Sequence, residues 1–134
     1  MTFHTLNPWA ILAAAVSVFV LGGLWYSPVA FGAAWKTANG FGSDDPPAPT
    51  GKVFAISFVL SLVMALNLAM FLNDPKTTLA WGATAGFLAG FGWVAMGIAI
   101  VSVFERRRWS YVLVNGGYLT VALVLMGAIL GAWR

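Results

Sequence analysis

The chain has 134 residues, of which 60% are hydrophobic and only 8% charged. A water-soluble domain carries about a quarter charged residues, so this composition excludes water as the main solvent. Cysteine is absent and the formal net charge is only +3. Disulfides, thiolate metal sites and cysteine nucleophiles are therefore excluded, and the scattered basic residues predict no nucleic-acid partner.

The length allows one domain over residues 1–134, read as an all-α integral membrane four-helix bundle. Spans are predicted over about residues 8–27, 52–73, 76–104 and 109–133, with a flexible linker over 42–51. The first apolar run has no Lys or Arg before it, so it is expected to stay as a span and not to be cleaved as a signal. Asn7 is a plausible N-cap for it, with Pro8 at the first helical position. Ala10 and Ala14 sit four apart and permit close packing.

Trp25-Tyr26-Ser27-Pro28 closes this span, and Phe31, Trp35 and Ala38 follow at helical spacing. Pro28 ends or kinks the helix. The next piece is too short to cross a membrane, which leaves two forms: a short interfacial helix, or a kinked extension of helix one. The linker G-S-D-D-P-P-A-P-T-G that follows is too polar and proline-rich to pack. The second span carries Ser57, Ser61 and Asn67, and Thr50 is its expected N-cap. Asn73-Asp74-Pro75 then predicts a tight turn, with Asp74 capping helix three and Pro75 in its first turn. So short a turn makes spans two and three antiparallel neighbours.

The third span is uncharged from Trp81 to Phe104, and Gly82, Gly86 and Gly90 recur every fourth residue on one stripe. The bilayer forces internal backbone hydrogen bonding, so the run stays helical and the glycines form a flat docking face. After the basic turn Glu105-Arg106-Arg107-Arg108, the fourth span carries Asn115-Gly116-Gly117-Tyr118 early and Gly127 and Gly131 late. Two small-residue faces look like more than one small bundle can bury. One is expected to serve the fold and the other a partner.

Orientation follows from Lys and Arg. Lys36, Lys52 and Arg106 to Arg108 flank one set of loops, and Lys76 and Arg134 lie on the opposite side. The positive-inside rule then puts both termini on the outer side.

Two segments, G-G-L-W-Y-S-P-V-A-F-G-A-A-W and F-E-R-R-R-W-S-Y-V-L-V-N-G-G-Y, together with the closing M-G-A-I-L-G-A-W, resemble a family of bacterial membrane proteins. It is the domain-of-unknown-function family 1761, and the likeness covers nearly the whole chain. The resemblance implies a four-helix protein of the bacterial inner membrane and carries no established activity.

Chemistry is thinly supplied. All four acidic residues lie in loops or at span ends, which argues against proton-coupled transport. His4 has no carboxylate or Cys near it and reads as an interfacial side chain. No catalytic residue, cofactor site or metal site is predicted. Depth estimates pair Asn67 with Thr84 in the outer third, as helix–helix glue. They gather Tyr26, Ser27, Asn115 and Tyr118 in the inner third, with Ser57 at its margin, and a small polar pocket is expected there. Arg106, Arg107 and Arg108 read as a topology anchor ahead of a lipid-headgroup site. Trp9, Trp25, Trp81, Trp109 and Trp133 form an aromatic belt, with Trp93 left in mid-span.

The leading functional reading is a non-enzymatic membrane protein that works by association, as a homo-oligomer or as an accessory subunit of a larger complex, with membrane lipids as its surroundings. The alternative is an oligomeric channel or carrier for a small neutral or hydrophobic solute. An intramembrane enzyme ranks last.

Overall fold

The computed structural model describes residues 6–27, 29–39 and 51–133. His4, Pro28, Arg134 and linker residues 42–50, Thr50 among them, lie outside the described residues; Gly51, the last residue of the expected linker, is described and helical. The described residues form five helices: α1 (Pro8–Trp25), α2 (Gly32–Ala38), α3 (Gly51–Phe71), α4 (Leu79–Phe104) and α5 (Trp109–Ala132). No strand occurs among the described residues. All but α2 are long and apolar enough to cross a membrane, which makes the chain a multi-pass membrane protein.

Asn7 caps α1: its side-chain oxygen accepts from the Trp9 N–H at 3.1 Å and the Ala10 N–H at 3.3 Å. Ala10, Ala14 and Val18 repeat every fourth residue on the buried face, while Leu12, Val16, Val20 and Leu24 line the outward one. After Trp25 the chain makes an elbow and starts a separate short helix, so α2 does not continue α1. The Gly32 N–H returns to the Ser27 carbonyl at 2.9 Å. A Cβ on Gly32 would lie 2.6 Å from the Tyr26 carbonyl oxygen, so this close turn admits only glycine.

The turn between α3 and α4 differs from its sequence reading. Asp74 does not cap α4; its carboxylate accepts from the Lys76 N–H at 2.8 Å, two residues on. The Thr77 hydroxyl donates to the Leu72 carbonyl at 2.8 Å and closes the end of α3. These local bonds hold the chain in a turn for one more step, and α4 starts at Leu79 with Thr78 as its N-cap.

α4 contains a π-helical turn over Gly90–Ala95. The reason lies in the spacing of its buried residues. Gly82, Gly86 and Gly90 are four apart, but the next buried residue, Ala95, is five on. In a regular α-helix that step would swing Ala95 about 140° off the stripe. The extra residue of the π turn restores the phase, so one face of α4 stays on α5.

α5 is the central helix. Nine of its residues are buried, against four in α1 and four in α3. α1 packs between α3 and α5, and α4 packs chiefly on α5. The core joins Ala14 and Val18 of α1, Ala65 and Leu68 of α3, and Ala122 and Met126 of α5. α3 and α4 are consecutive, yet they are not packed neighbours as the short turn suggested. α4 has turned its small-residue face to α5 and keeps Trp81, Leu88 and Trp93 on the side nearer α3.

Candidate functional site

Four places could carry function, and each traces to a residue pattern. The first is the seam of α4 and α5. A Cβ on Gly82 would run into the Gly127 carbonyl, and one on Gly86 into the Leu123 carbonyl. At Gly90 it would lie 2.7 Å from the Thr120 Cα. Reciprocally, Gly127 meets the Gly82 carbonyl and Gly131 the Thr78 carbonyl. The two stripes are therefore two sides of one contact. The expectation that one of them is left for a partner is corrected: a four-residue glycine repeat on each helix lets the backbones meet, and neither stripe remains open.

The second place is the inner cluster. The Tyr26 hydroxyl donates to the Asn115 side-chain oxygen at 2.7 Å, and the Asn115 amide donates to the Tyr111 carbonyl at 3.0 Å. Tyr118 donates to the Val18 carbonyl at 3.1 Å. The rings of Tyr26 and Tyr118 meet edge to face at 5.3 Å. Ser27 does not join them: its hydroxyl returns to the Leu24 carbonyl at 2.6 Å. Ser57 faces outward on α3.

The sequence reading missed three members of this cluster. Trp25, at the end of its span, does more than face an interface. Its indole N–H donates to the Val114 carbonyl at 2.9 Å, and its ring lies 4.5 Å from that of Phe31. Trp35 meets Tyr26 at 6.0 Å. The signal was available: Trp25, Phe31 and Trp35 belong to the same short segment as Tyr26, and the asparagine segment supplies their partners. Gly116 and Gly117 make room, the first for Ala95 at 3.1 Å and the second for Trp25 at 3.2 Å.

Chemically, the cluster is a clasp between the α1–α2 elbow and α5. No buried side-chain nitrogen or oxygen among the described residues lacks a hydrogen-bond partner. The three cross-helix bonds of Trp25, Tyr26 and Tyr118 together contribute about 2 kcal/mol at the usual 0.6 each. The expected polar pocket is thus filled by rings and by bonds already made.

The outer pair does not form. Asn67 and Thr84 both face outward, and each bonds a carbonyl one turn back on its own helix, Val63 at 3.2 Å and Ala80 at 2.8 Å. Back-bonding gives each side chain one hydrogen bond on its own helix, and the divergence of α3 from α4 removes the meeting point.

The third place is that divergence itself. Leu68, Phe71 and Leu72 of α3 face Trp81, Ala85, Leu88, Ala89 and Trp93 of α4 across an apolar cleft of about 500 Å³. Mid-span Trp93 thus borders a concavity.

The fourth is a polar groove of about 630 Å³, where the end of α2 (Ala38, Asn39) meets the α4–α5 turn (Glu105 to Arg108). Arg107 pairs with Glu105 at 3.3 Å and lies 4.9 Å over the Tyr111 ring. Arg108 reaches across to the Thr37 carbonyl at 3.5 Å. The turn is a Schellman motif. The Arg107 N–H bonds the Ser102 carbonyl at 2.9 Å and the Arg106 N–H bonds Val103 at 3.2 Å. No group of three or more His, Cys, Asp or Glu residues gathers among the described residues.

Comparison with known proteins gives one result for the whole chain. The sequence model of a family described as "Protein of unknown function (DUF1761)" matches residues 9–131. No curated protein and no solved structure matches.

Proposed function

The chain belongs to the DUF1761 family of proteins of unknown function, and from that premise we propose that it is a non-enzymatic protein of the bacterial inner membrane that works by association. It acts as a homo-oligomer or as an accessory subunit, with both termini on the outer side. The observation that carries this reading is the cleft between α3 and α4, with Ala85 and Ala89 four residues apart among its lining residues. In lipid there is no hydrophobic force between helices, so association depends on packing. A concavity flanked by Trp81, Leu88 and Trp93 is where an incoming helix gains most contact. A pair of alanines one turn apart lets its backbone approach closely.

The test is native mass spectrometry of the full chain released from lipid, comparing wild type with Ala85→Trp. The substitution fills the cleft. The expected result is an assembly for wild type, its loss in the variant, and a folded protomer in both. A wild type that is a single chain in every lipid, with no co-purifying subunit, overturns the reading.

The cleft also favours a second reading, a carrier for a small hydrophobic solute. Its volume of about 500 Å³ is that of a small-molecule site. Under that reading Ala85→Trp loses a bound small mass while the copy number stays the same.

A further inference from the structure

The α4–α5 turn holds the sharpest conflict between what the backbone asks for and which residue is present. A Schellman motif places one residue in the left-handed region, where glycine is at ease. The chain is rich in glycine, with 15 in all, and yet carries Arg106 there at φ 58°. A side-chain-bearing residue held in that region marks a place where something other than local stability is served.

The neighbouring arginines show what that is. Arg107 is engaged by Glu105 and Tyr111, and Arg108 by the Thr37 carbonyl. The Arg106 guanidinium meets no acceptor among the described residues, although it lines the same groove. Among the described residues, three arginines against one glutamate give the groove lining a surplus of positive charge. The N-terminus of the long α5 opens beside it, and Arg108 at the N-cap makes no side-chain cap bond. The first-turn amides of α5 thus add the positive end of a helix dipole. On either side of the arginines, Phe104 is 86% exposed and Trp109 66%. Apolar and aromatic side chains flanking a cationic groove at the ends of two spans set it at the level of lipid headgroups.

We propose that this groove binds the phosphate of an anionic phospholipid headgroup, with Arg106 as its principal ligand and Arg107 and Arg108 as its fixed walls. The left-handed turn aims Arg106 into the groove, a placement that glycine would make easier for the backbone but useless for the lipid. The inference is independent of the association reading, which rests on a different face.

The test uses the full chain in neutral detergent, offered equal amounts of phosphatidylglycerol and phosphatidylcholine, with retained lipid read by native mass spectrometry. Wild type is expected to retain phosphatidylglycerol over phosphatidylcholine. Arg106→Gly is expected to lower that preference roughly fivefold, the effect of one basic residue near an anionic surface. The same variant should hold or raise the unfolding temperature in phosphatidylcholine, because the backbone strain is relieved; a purely structural arginine would show neither the lipid loss nor this opposition. Lys76→Ala removes one positive charge at the other end of α4 and should leave the preference unchanged. Three results overturn the proposal: full phosphatidylglycerol retention by Arg106→Gly, an equal loss in Lys76→Ala, or stabilisation of wild type by inorganic phosphate that matches phosphatidylglycerol. The last would make the ligand a soluble phosphate and not a lipid.

Discussion

α4 has two apolar sides in the same solvent, and they end up opposite in character. Toward α5 it presents Gly82, Gly86 and Gly90, and the two backbones touch. Toward α3 it presents Trp81, Leu88 and Trp93, and the helices part around a cleft. Both sides are equally happy in lipid, so hydrophobicity does not separate them. Side-chain size does. Toward α5 the repeat is small throughout and dispersion contacts run from backbone to backbone; toward α3 the small pair Ala85 and Ala89 lies between Trp81, Leu88 and Trp93, whose bulk borders the cleft.

That contrast can be broken most forcefully at the seam. Gly86→Leu places a side chain on the Leu123 carbonyl, with no flexible neighbour to yield. The expected loss is about 3 kcal/mol or more, the upper range for overpacking, read as unfolding in mixed micelles. A variant that unfolds like wild type would show that the seam does not hold the protomer. By the same geometry, Gly127→Leu damages the fold before it can report on any assembly.

The clasp comes next. Asn115→Ala leaves the Tyr26 hydroxyl without its acceptor, at an expected cost of about 1–2 kcal/mol. A double-mutant cycle with Tyr26→Phe should return a coupling near 0.6 kcal/mol, and no coupling would mean the bond is incidental. Thr78→Ala removes the cap where α4 begins beside Gly131, an expected loss of about 1 kcal/mol in the same unfolding measurement. An unchanged midpoint would return the start of α4 to Asp74.

The open side should respond much less. Ala85→Trp fills the cleft and is expected to shift stability by under about 1 kcal/mol while altering what co-purifies. The smallest effect is expected at Asn67, whose side chain bonds only its own helix: Asn67→Leu should stay within about 0.5 kcal/mol of wild type. A larger loss would indicate a partner for Asn67 in the intact membrane.

How much of this was legible follows from where each signal lies. The spans, the Asn7 cap and the separate turn at Glu105 to Arg108 are written in local residue choice, since apolar length and capping chemistry act over a few residues. The meeting of Tyr26 with Asn115 was within reach as well, because both lie at matched depth. The bond of Trp25 was not legible for an equally physical reason: an indole at a span end suits a membrane interface as well as a neighbouring carbonyl, and only the position of Val114 supplies the latter. Asp74 likewise looks like a cap, but its carboxylate can serve a turn amide as readily.

Composition alone settled that lipid surrounds this polypeptide, because too few charges exist to keep it in water, and periodicity settled that glycines line two of its helices. Which stripe meets which was decided only in three dimensions. The pairing of Gly82 with Gly127, the parting of α3 from α4 and the filled clasp at Tyr26 depend on how whole helices choose among several apolar faces of similar affinity. That choice rests on shape complementarity between segments distant in the chain, and no local pattern encodes it.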